Sequence, residues 1–431
     1  MKINFLLLLL LILSFECYAQ VKVIIGGGNE IVYPVTPNET SNLTELIPLQ
    51  TLFKNKKVVG MGEATHGTKE FFNMKAKMFK FLVMHCGYRI FSIEATFGGT
   101  LKVNDYVLYR KGDILSAMKG MEFWTWDTEE VRDLIEWMST YNDGKPDNEK
   151  LKFYGFDCQS FKGPIDALID YVNEFDKKNL NEFVKGFQGL NDSSILYYYK
   201  IKPGNLQGIA QIHSIISFLQ KWFQGYETLY IIASGRTKFE LAKHNIDNLE
   251  QTILIKEKTE RKYDYIRDSC MAQNIKWIYE LEKTPVFAWA HNGHISKVPS
   301  FLKISECMGG WLNSIFGTDY YNIGFVFNQG SFQAFYKETK KVQECSVPKF
   351  EKNTLTNELS LAGIDAFFID MVTSNNKLFR KSRKAYWIGA GFAQEYWNRC
   401  SPSLIMKKQF DGLIFINTTT CAIPINRKLM N

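Results

Sequence analysis

Apolar residues along this 431-residue chain follow two patterns that alternate. Short apolar runs bounded by Lys, Gly or Pro predict buried strands, and longer segments with apolar residues three and four positions apart predict helices between them. Strands that alternate with helices indicate an α/β fold, with a mostly parallel sheet flanked by helices. The predicted strands are 57–61, 89–93, 151–156, 285–290, 321–327, 366–369 and 412–416.

Two stretches depart from this alternation. From about residue 163 to residue 256 the pattern is helical and strongly charged, which predicts an all-helical insertion within an α/β domain that spans residues 45–425. Residues 20–44 are rich in Gly, Asn and Thr and contain three consecutive glycines, so we predict a flexible lead-in. The chain is 45% hydrophobic, which is normal for a globular protein with a sizeable core.

The first 19 residues have the form of a signal peptide, with a short basic start, an apolar stretch over 5–15 and a small-x-small site that ends at Ala19. Cys17 leaves lipid attachment open, but Glu16 fits a lipoprotein signal poorly, so we favour cleavage after Ala19. No later apolar run is long enough for a stable membrane span. We therefore expect an exported protein, periplasmic or secreted.

Charge and cysteine usage exclude some classes of protein. The 52 basic and 45 acidic residues are interspersed, which gives a mildly basic surface but no nucleic-acid footprint. The seven cysteines after Cys17 are scattered without a CxxC pair, so neither thiol chemistry nor a zinc ribbon is indicated. The expected partner is a small molecule, whereas disulfide pairing and oligomeric state stay open.

The loop after the first predicted strand carries the first candidate chemistry. Glu63 and His66 lie three residues apart with glycine on both sides, and a predicted helix follows. In this helix Lys75 falls on the apolar face, four residues after Phe71. A buried lysine requires a partner, and Glu63 is the natural candidate.

Other polar residues also follow predicted strands: Glu94, Asp157, His291 and His294. Because the carboxyl ends of parallel strands share one edge, these side chains are expected to converge on one cleft. Arg267 lies on the apolar face of a later helix and is expected to pair with a carboxylate. We expect Asp157, Arg267 and His294 to bind substrate, although Asp157 could also serve only as a helix cap.

Two chemistries fit this set of residues. In the first, His66 takes a proton from water while Glu63 or Glu94 holds it, and Lys75, Arg267 or a second His stabilises the carbonyl oxygen of an ester. For this last role we favour His291 and Lys75, and no cofactor is needed. In the second, a divalent metal activates the water, with Glu63, His66, His291 and His294 as ligands.

The sequence lacks the motifs of two common enzyme classes. No GxSxG motif indicates a serine hydrolase, and no glycine-rich loop follows a strand as nucleotide binding requires. A non-catalytic alternative is a protein that binds an envelope glycan or a cofactor on the same scaffold. An inward-facing acid–base set argues against this alternative, because binding alone does not require one.

Several blocks resemble the erythromycin esterase family, which includes succinoglycan-biosynthesis-like members. They are VVGMGEATHGTKEFF, RIFSIEATFG, FYGFDCQ, RDSCMAQNIKWI, VFAWAHNGHI and FDGLIFINTT, and the resemblance covers about residues 45–425. It implies an α/β fold with helical additions around a deep cleft. It also implies hydrolysis of a macrolide lactone ester by water, without a covalent enzyme intermediate.

The resemblance also implies roles for single residues. The family's catalytic His and loop Glu match His66 and Glu63, its strand-end Glu matches Glu94, and its later His matches His291. Lys75 stands where some members have Arg, so it keeps the charge but lacks the planar fork of a guanidinium group.

Overall fold

The computed structural model describes residues 20–38, 40–187, 206–257, 260–299, 306–349, 352–393, 395 and 400–425. The predicted signal peptide at 1–19 lies outside the described residues. Among the described helices, none has the length and apolar composition that a bilayer crossing requires.

The described strands are numbered in chain order. They are β1 (Val21–Ile25), β2 (Gly28–Pro34), β3 (Val58–Met61), β4 (Ile90–Thr96), β5 (Lys152–Asp157), β6 (Val286–Trp289), β7 (Tyr320–Tyr336), β8 (Lys341–Val347), β9 (Ala366–Asp370), β10 (Arg383–Lys384), β11 (Gly391–Phe392), β12 (Ser403–Leu404) and β13 (Gly412–Thr419).

The described α-helices are numbered in the same way. They are α1 (Gln50–Phe53), α2 (Lys69–Cys86), α3 (Leu101–Tyr109), α4 (Ile114–Lys119), α5 (Glu129–Tyr141), α6 (Lys162–Phe175), α7 (Leu180–Lys185), α8 (Leu206–Ser234), α9 (Arg236–Lys256), α10 (Glu260–Glu282), α11 (Asn292–Ile295), α12 (Met308–Phe316), α13 (Leu355–Ser360) and α14 (Met406–Gln409). Short 3-10 helices lie at Thr44–Leu49, Gly98–Thr100, Trp124–Trp126, Asp147–Glu149, Lys177–Asn179, Gly317–Asp319 and Lys377–Arg380.

One large sheet organises the molecule. Its strand order is β1-β2-β9-β13-β7-β3-β6-β4-β5, with β8 and β11 paired to β7. All neighbours from β13 to β5 are parallel, whereas the β1, β2 and β9 side is antiparallel. Central strands such as β3, β4 and β6 are buried along their whole length, as expected where helices cover both faces of a parallel sheet. The predicted α/β fold class is confirmed.

Helix α2 follows the loop that carries Glu63 and His66, and its packing fixes the position of this loop. Phe71, Met74 and Met78 are fully buried and pack in the main core. The helix ends at Gly87, whose φ of 78° is the left-handed conformation that suits a glycine C-cap. Lys77, which the pattern placed outside the apolar face, is also buried and donates to Glu45 at 2.6 Å.

The segment predicted as a helical insertion is helical throughout its described part. Helices α6, α7, α8 and α9 share a core of their own, in which Leu219, Phe223 and Leu249 are buried. Helix α9 also reaches the large sheet, because Asn248 donates to the backbone carbonyl of Asp157 at 3.2 Å. The insertion therefore contacts the end of β5 directly.

The prediction of a flexible lead-in is wrong for residues 20–38. Gly26 and Gly27 have φ values of 57° and 76° and form a tight turn between β1 and β2. Strand β2 then pairs with β9, with Tyr33 opposite Phe368. The glycines therefore mark a hairpin that extends the sheet. Local sequence does not show this, because the partner strand β9 lies more than 300 residues further along the chain.

Two glycines of the loop after β3 allow close backbone packing. A Cβ on Gly62 would lie 2.2 Å from Asn292 Oδ1, and a Cβ on Gly67 would lie 2.3 Å from the carbonyl oxygen of Gln333. Both separations are too short for any other side chain. The loop is thereby held against the chain that follows β6 and against β7.

Gly67→Ala is expected to lower the free energy of unfolding by about 1–3 kcal/mol, because the methyl group meets a backbone that cannot move aside locally. Gly225→Ala is the matched control. Gly225 lies inside α8 with nothing within 4 Å of the added carbon, so this variant should be as stable as the parent or more stable, by up to about 1 kcal/mol. Urea unfolding measures both; equal losses would contradict the packing argument.

Candidate active site

Four neighbouring strands bring the predicted polar residues to one edge of the sheet. Glu63 and His291 each follow the last residue of their strand by two positions, and Asp157 is the last residue of β5. Glu94 lies in β4 where its register against β5 shifts, between Ile93 and Thr96. Such an irregularity re-aims a side chain, which here turns Glu94 toward the same edge.

His66 is held by Glu63 and not by Glu94. His66 Nδ1 lies 2.7 Å from Glu63 Oε1. Since a carboxylate only accepts, Nδ1 carries the proton and Nε2 is left as a proton acceptor. Among the described residues Nε2 has no hydrogen-bond partner, and 12% of the His66 side chain is exposed.

Lys75 has the partner that the helix pattern predicted. Its Nζ donates to Glu63 Oε2 and lies 4.3 Å from the centroid of the Trp289 ring. Trp289 Nε1 donates to the same oxygen at 2.9 Å. Burial lowers the pKa of Lys75 to about 8, although Glu63 opposes this shift.

The position of Lys75 defines how it contacts Glu63. The side chain has no exposed surface, and it reaches Glu63 through the oxygen that His66 does not use. It therefore holds Glu63 in place from the buried side.

Arg267 joins two of the site carboxylates. Its Nε and Nη2 donate to the two oxygens of Asp157 at 3.0 and 2.7 Å, and Nη2 also donates to Glu94 Oε1 at 2.6 Å. Burial alone would lower the pKa of Arg267, but Asp157 and Glu94 outweigh it and raise this pKa well above its usual range. The predicted pairing of Arg267 with a carboxylate is confirmed, and both Asp157 and Arg267 are buried in this network.

His294 lies between two carboxylates. Its Nδ1 is 2.7 Å from Asp268 Oδ1, and its Nε2 is 3.2 Å from Glu94 Oε1 and 3.0 Å from Arg267 Nη1. Burial opposes a charge on His294, but Asp268 and Glu94 raise its pKa to about 10. The two carboxylates thus favour the charged form of His294 whereas burial and Arg267 oppose it, and 13% of the His294 side chain is exposed.

His291 is neutral and uses both ring nitrogens. Its Nδ1 accepts from the Gly293 N–H at 3.1 Å, and its Nε2 donates to the Ile388 carbonyl at 3.2 Å. Burial lowers the pKa of His291 well below its usual range, and a proton on His66 or His294 adds to this effect. The His291 and His66 ring centroids are 4.9 Å apart.

Glu94 connects these groups. Its Oε1 faces Arg267 and His294, and its Oε2 accepts the backbone N–H of His291 at 2.9 Å. Burial would raise the pKa of Glu94, but the positive charges of His294 and Arg267 hold it well below its usual range. Glu94 therefore stays ionised and fixes the position of His291.

Two residues contribute to the site in ways that the sequence analysis did not predict, since the sequence suggests Asp268 only as a partner of Arg267. Asp268 orients His294 and also accepts the Met308 N–H at 2.9 Å, which anchors the start of α12. Its signal was present, because Asp268 is three residues before Met271 and shares the apolar face of α10. Trp289 carried no such signal, since its bond to Glu63 depends on how β6 lies beside β3.

The four residues that the metal-dependent alternative uses as ligands each make hydrogen bonds to other protein groups. They are Glu63, His66, His291 and His294. His66 and His294 direct Nδ1 to carboxylates, and His291 bonds to backbone groups. Within the described part of the chain, no group of three or more His, Cys, Asp or Glu side chains is arranged to hold a metal ion.

A parallel sheet whose carboxyl edge carries a carboxylate-held histidine beside a buried ionic network defines an α/β protein with an enzyme-like acid–base centre. The erythromycin esterase family model matches residues 83–419, and the chain belongs to this family. Glu94, Asp157 and the later site residues lie inside the match. The loop with Glu63 and His66 precedes it.

Two relatives agree with this membership. The chain is 24% identical over 419 residues to YbfO of Bacillus subtilis (strain 168), which carries a provisional hydrolase name; the match covers 91% of this chain and 90% of that protein. It is 22% identical over 338 residues to erythromycin esterase type II of Escherichia coli, covering 72% of this chain and 78% of that protein. The family supports a hydrolase.

Two solved structures share the fold. One is a succinoglycan biosynthesis protein with a TM-score of 0.77 and 22% identity, over 91% of this chain and 95% of that chain. The other is a mutant of the erythromycin esterase EreC in its open conformation, with a TM-score of 0.63 and 15% identity, over 90% of this chain and 97% of that chain.

The raised pKa of His294 predicts a pH dependence of stability. The folded protein keeps this proton after an unfolded chain has lost it, so the stabilisation is fully present below about pH 6.5 and is lost as the pH rises through about 10. Urea unfolding across this range should show a steeper fall in the free energy of unfolding for the parent than for His294→Gln. His213→Gln, at a side chain that is 53% exposed, should behave like the parent. Equal slopes for the parent and His294→Gln would contradict this assignment.

Proposed function

We propose that the chain is a carboxylic ester hydrolase of the erythromycin esterase type, in which His66 activates water for attack on the ester carbonyl. The observation that carries this proposal is the His66 ring, whose Nδ1 is fixed on Glu63 while its Nε2 is free to accept a proton. Family membership and the name of the Escherichia coli relative support a macrolide lactone or a related ester as substrate.

The steps follow from the placement of the side chains. Nε2 of His66 takes a proton from water as the water oxygen bonds to the ester carbon, and the negative Glu63 stabilises the resulting imidazolium. Lys75 and Trp289 keep Glu63 in place because they fill its second oxygen. When the tetrahedral intermediate collapses, the proton passes from His66 to the leaving alkoxide, which gives an acid and an alcohol without a covalent enzyme intermediate.

His291 is the candidate for stabilising the negative charge that develops on the carbonyl oxygen of the substrate. It lies beside His66, and its single N–H is donated to the Ile388 carbonyl. Transfer of this N–H from Ile388 to the substrate oxygen would supply an oxyanion donor. Because its low pKa keeps His291 neutral, His291 does not take up the proton that His66 removes from water.

His66→Ala should abolish hydrolysis and leave the fold intact. His66 is partly exposed, and its loss removes one hydrogen bond to Glu63, which keeps its bonds to Lys75 and Trp289. The measurement is mass-spectrometric detection of the gain of one water on a panel of macrolides and envelope-glycan esters, with the melting temperature alongside. His213→Ala is the surface control and should match the parent. A folded His66→Ala protein with parental rates would contradict the proposal.

The same assay tests Glu63, with one precaution from the structure. Glu63→Ala alone leaves Lys75 buried without its carboxylate, at a cost of about 3–5 kcal/mol. The double variant Glu63→Gln with Lys75→Met removes both charges together, so it should fold and still lose activity.

Metal dependence is tested separately. Since the candidate ligands are engaged with each other and with backbone groups, dialysis against EDTA should leave the rate unchanged, and elemental analysis should find no stoichiometric divalent metal. A loss of activity that a divalent metal restores would instead favour the metal-activated mechanism with Glu63, His66, His291 and His294.

A further inference from the structure

Two cysteines meet where helix α10 packs on the end of β5. Cys158 directly follows the last residue of β5, and Cys270 lies in α10. Both side chains are buried, and they form a small cluster with Ile255 that is separate from the main core. Both are free thiols in the described structure, and the two thiol groups interact directly. The pair is therefore a buried dithiol that the proposed hydrolysis does not use.

Hydrogen bonds on both sides hold the two cysteines opposite each other. Arg267, three residues before Cys270, donates to both oxygens of Asp157 at 3.0 and 2.7 Å. Asn274, four residues after Cys270, donates to the backbone carbonyl of Phe156 at 2.9 Å. Residues three and four positions apart lie on one face of a helix, so Cys270 faces the end of β5 between these two contacts. The end of β5 is thereby fixed in register against α10, with one cysteine on each side of the contact.

The surroundings give the two thiols different reactivity. Cys158 has no exposed surface, and burial raises the pKa of its thiol well above the usual range, an effect to which Cys270 adds. Interaction with Cys158 lowers the pKa of the Cys270 thiol, and Cys270 is 8% exposed. Because the thiolate is the form that attacks a disulfide, Cys270 is the thiol that reacts first and Cys158 is the thiol that reacts second.

We infer that Cys158 and Cys270 form an intramolecular disulfide, which clamps α10 to the end of β5. This inference goes beyond the proposed hydrolysis and does not depend on it. A bond here closes a loop from position 158 to position 270, and closing a long loop removes more conformational freedom from the unfolded chain than closing a short one. The signal peptide predicted at 1–19 would take the chain to a compartment where disulfides persist.

The bond forms by exchange with a disulfide-bearing oxidant, such as a small disulfide. The Cys270 thiolate attacks one sulfur of the oxidant, whose other sulfur leaves as the first thiol. The Cys158 thiolate then attacks the Cys270 sulfur in the mixed disulfide and releases the second thiol. The two cysteine protons end on the two released thiols, and the two electrons end on the oxidant.

Refolding in a glutathione redox buffer tests the bond without requiring access to a buried thiol. The chain is unfolded under reducing conditions, refolded with reduced and oxidised glutathione, and blocked with iodoacetamide before digestion. Mass spectrometry should find the peptide that contains Cys158 joined to the peptide that contains Cys270 in most of the folded protein. The same mapping on protein purified without reductant covers the case of incomplete refolding. Recovery of both cysteines on separate alkylated peptides, or no excess of this pair over other pairings, would overturn the inference.

The melting temperature tests the clamp. The bridged protein should melt about 3–5 °C above the same protein kept reduced, because the bond restricts the unfolded chain. The double variant Cys158→Ala with Cys270→Ala should melt at one temperature, with or without reductant. Cys86→Ala is the matched control, because Cys86 is also a buried helix cysteine but packs in the main core, so this variant should keep the difference seen in the parent. A bridged protein that melts no higher than the reduced protein would overturn the clamp.

Discussion

The buried carboxylate of Glu63 is the interaction on which the rest of the site depends. It has no exposed surface, yet it accepts from His66, Lys75 and Trp289, which come from three separate elements. An ionised carboxylate is tolerated in such a place only when its lone pairs are filled by donors and a cation balances its charge. Lys75 supplies the charge from α2, and Trp289 supplies a neutral donor from β6. The one remaining direction is left for His66, so the tautomer of that ring is set by the packing around it.

The order of the strands explains how the two parts of the site meet. The sequence β3-β6-β4-β5 across the sheet places Glu63, His291, Glu94 and Asp157 in this order along its carboxyl edge. His291 therefore lies between the Glu63–His66 pair and the network around Arg267. Its backbone N–H binds Glu94, and its ring faces His66. A neutral imidazole in this place separates two charged groups without contributing a third charge.

Some of this arrangement follows from local sequence and some does not. Apolar runs with polar residues at their ends predicted the strand ends, and helical periodicity predicted that Lys75 and Arg267 turn inward toward carboxylates. The hairpin at 20–38 was missed because β2 pairs with β9, more than 300 residues away, and no local pattern reports this pairing. The pairing of Lys75 with the oxygen of Glu63 that His66 does not use was not foreseen, because periodicity gives the direction of a side chain but not which side of Glu63 it reaches. The backbone partners of His291 depend on where Ile388 lies, which no local pattern reports.

The contact between α9 and the end of β5 gives the helical insertion a mechanical role. Asn248 holds the carbonyl of Asp157, whose side chain carries Arg267, which in turn fixes Glu94 and His294. A displacement of α9 would therefore reach the ionic network through hydrogen bonds alone, beginning at the carbonyl of Asp157. A substitution that shifts α9 is therefore expected to alter the placement of Asp157 and Arg267, although the described residues of α9 supply no side chain to the Glu63–His66 pair.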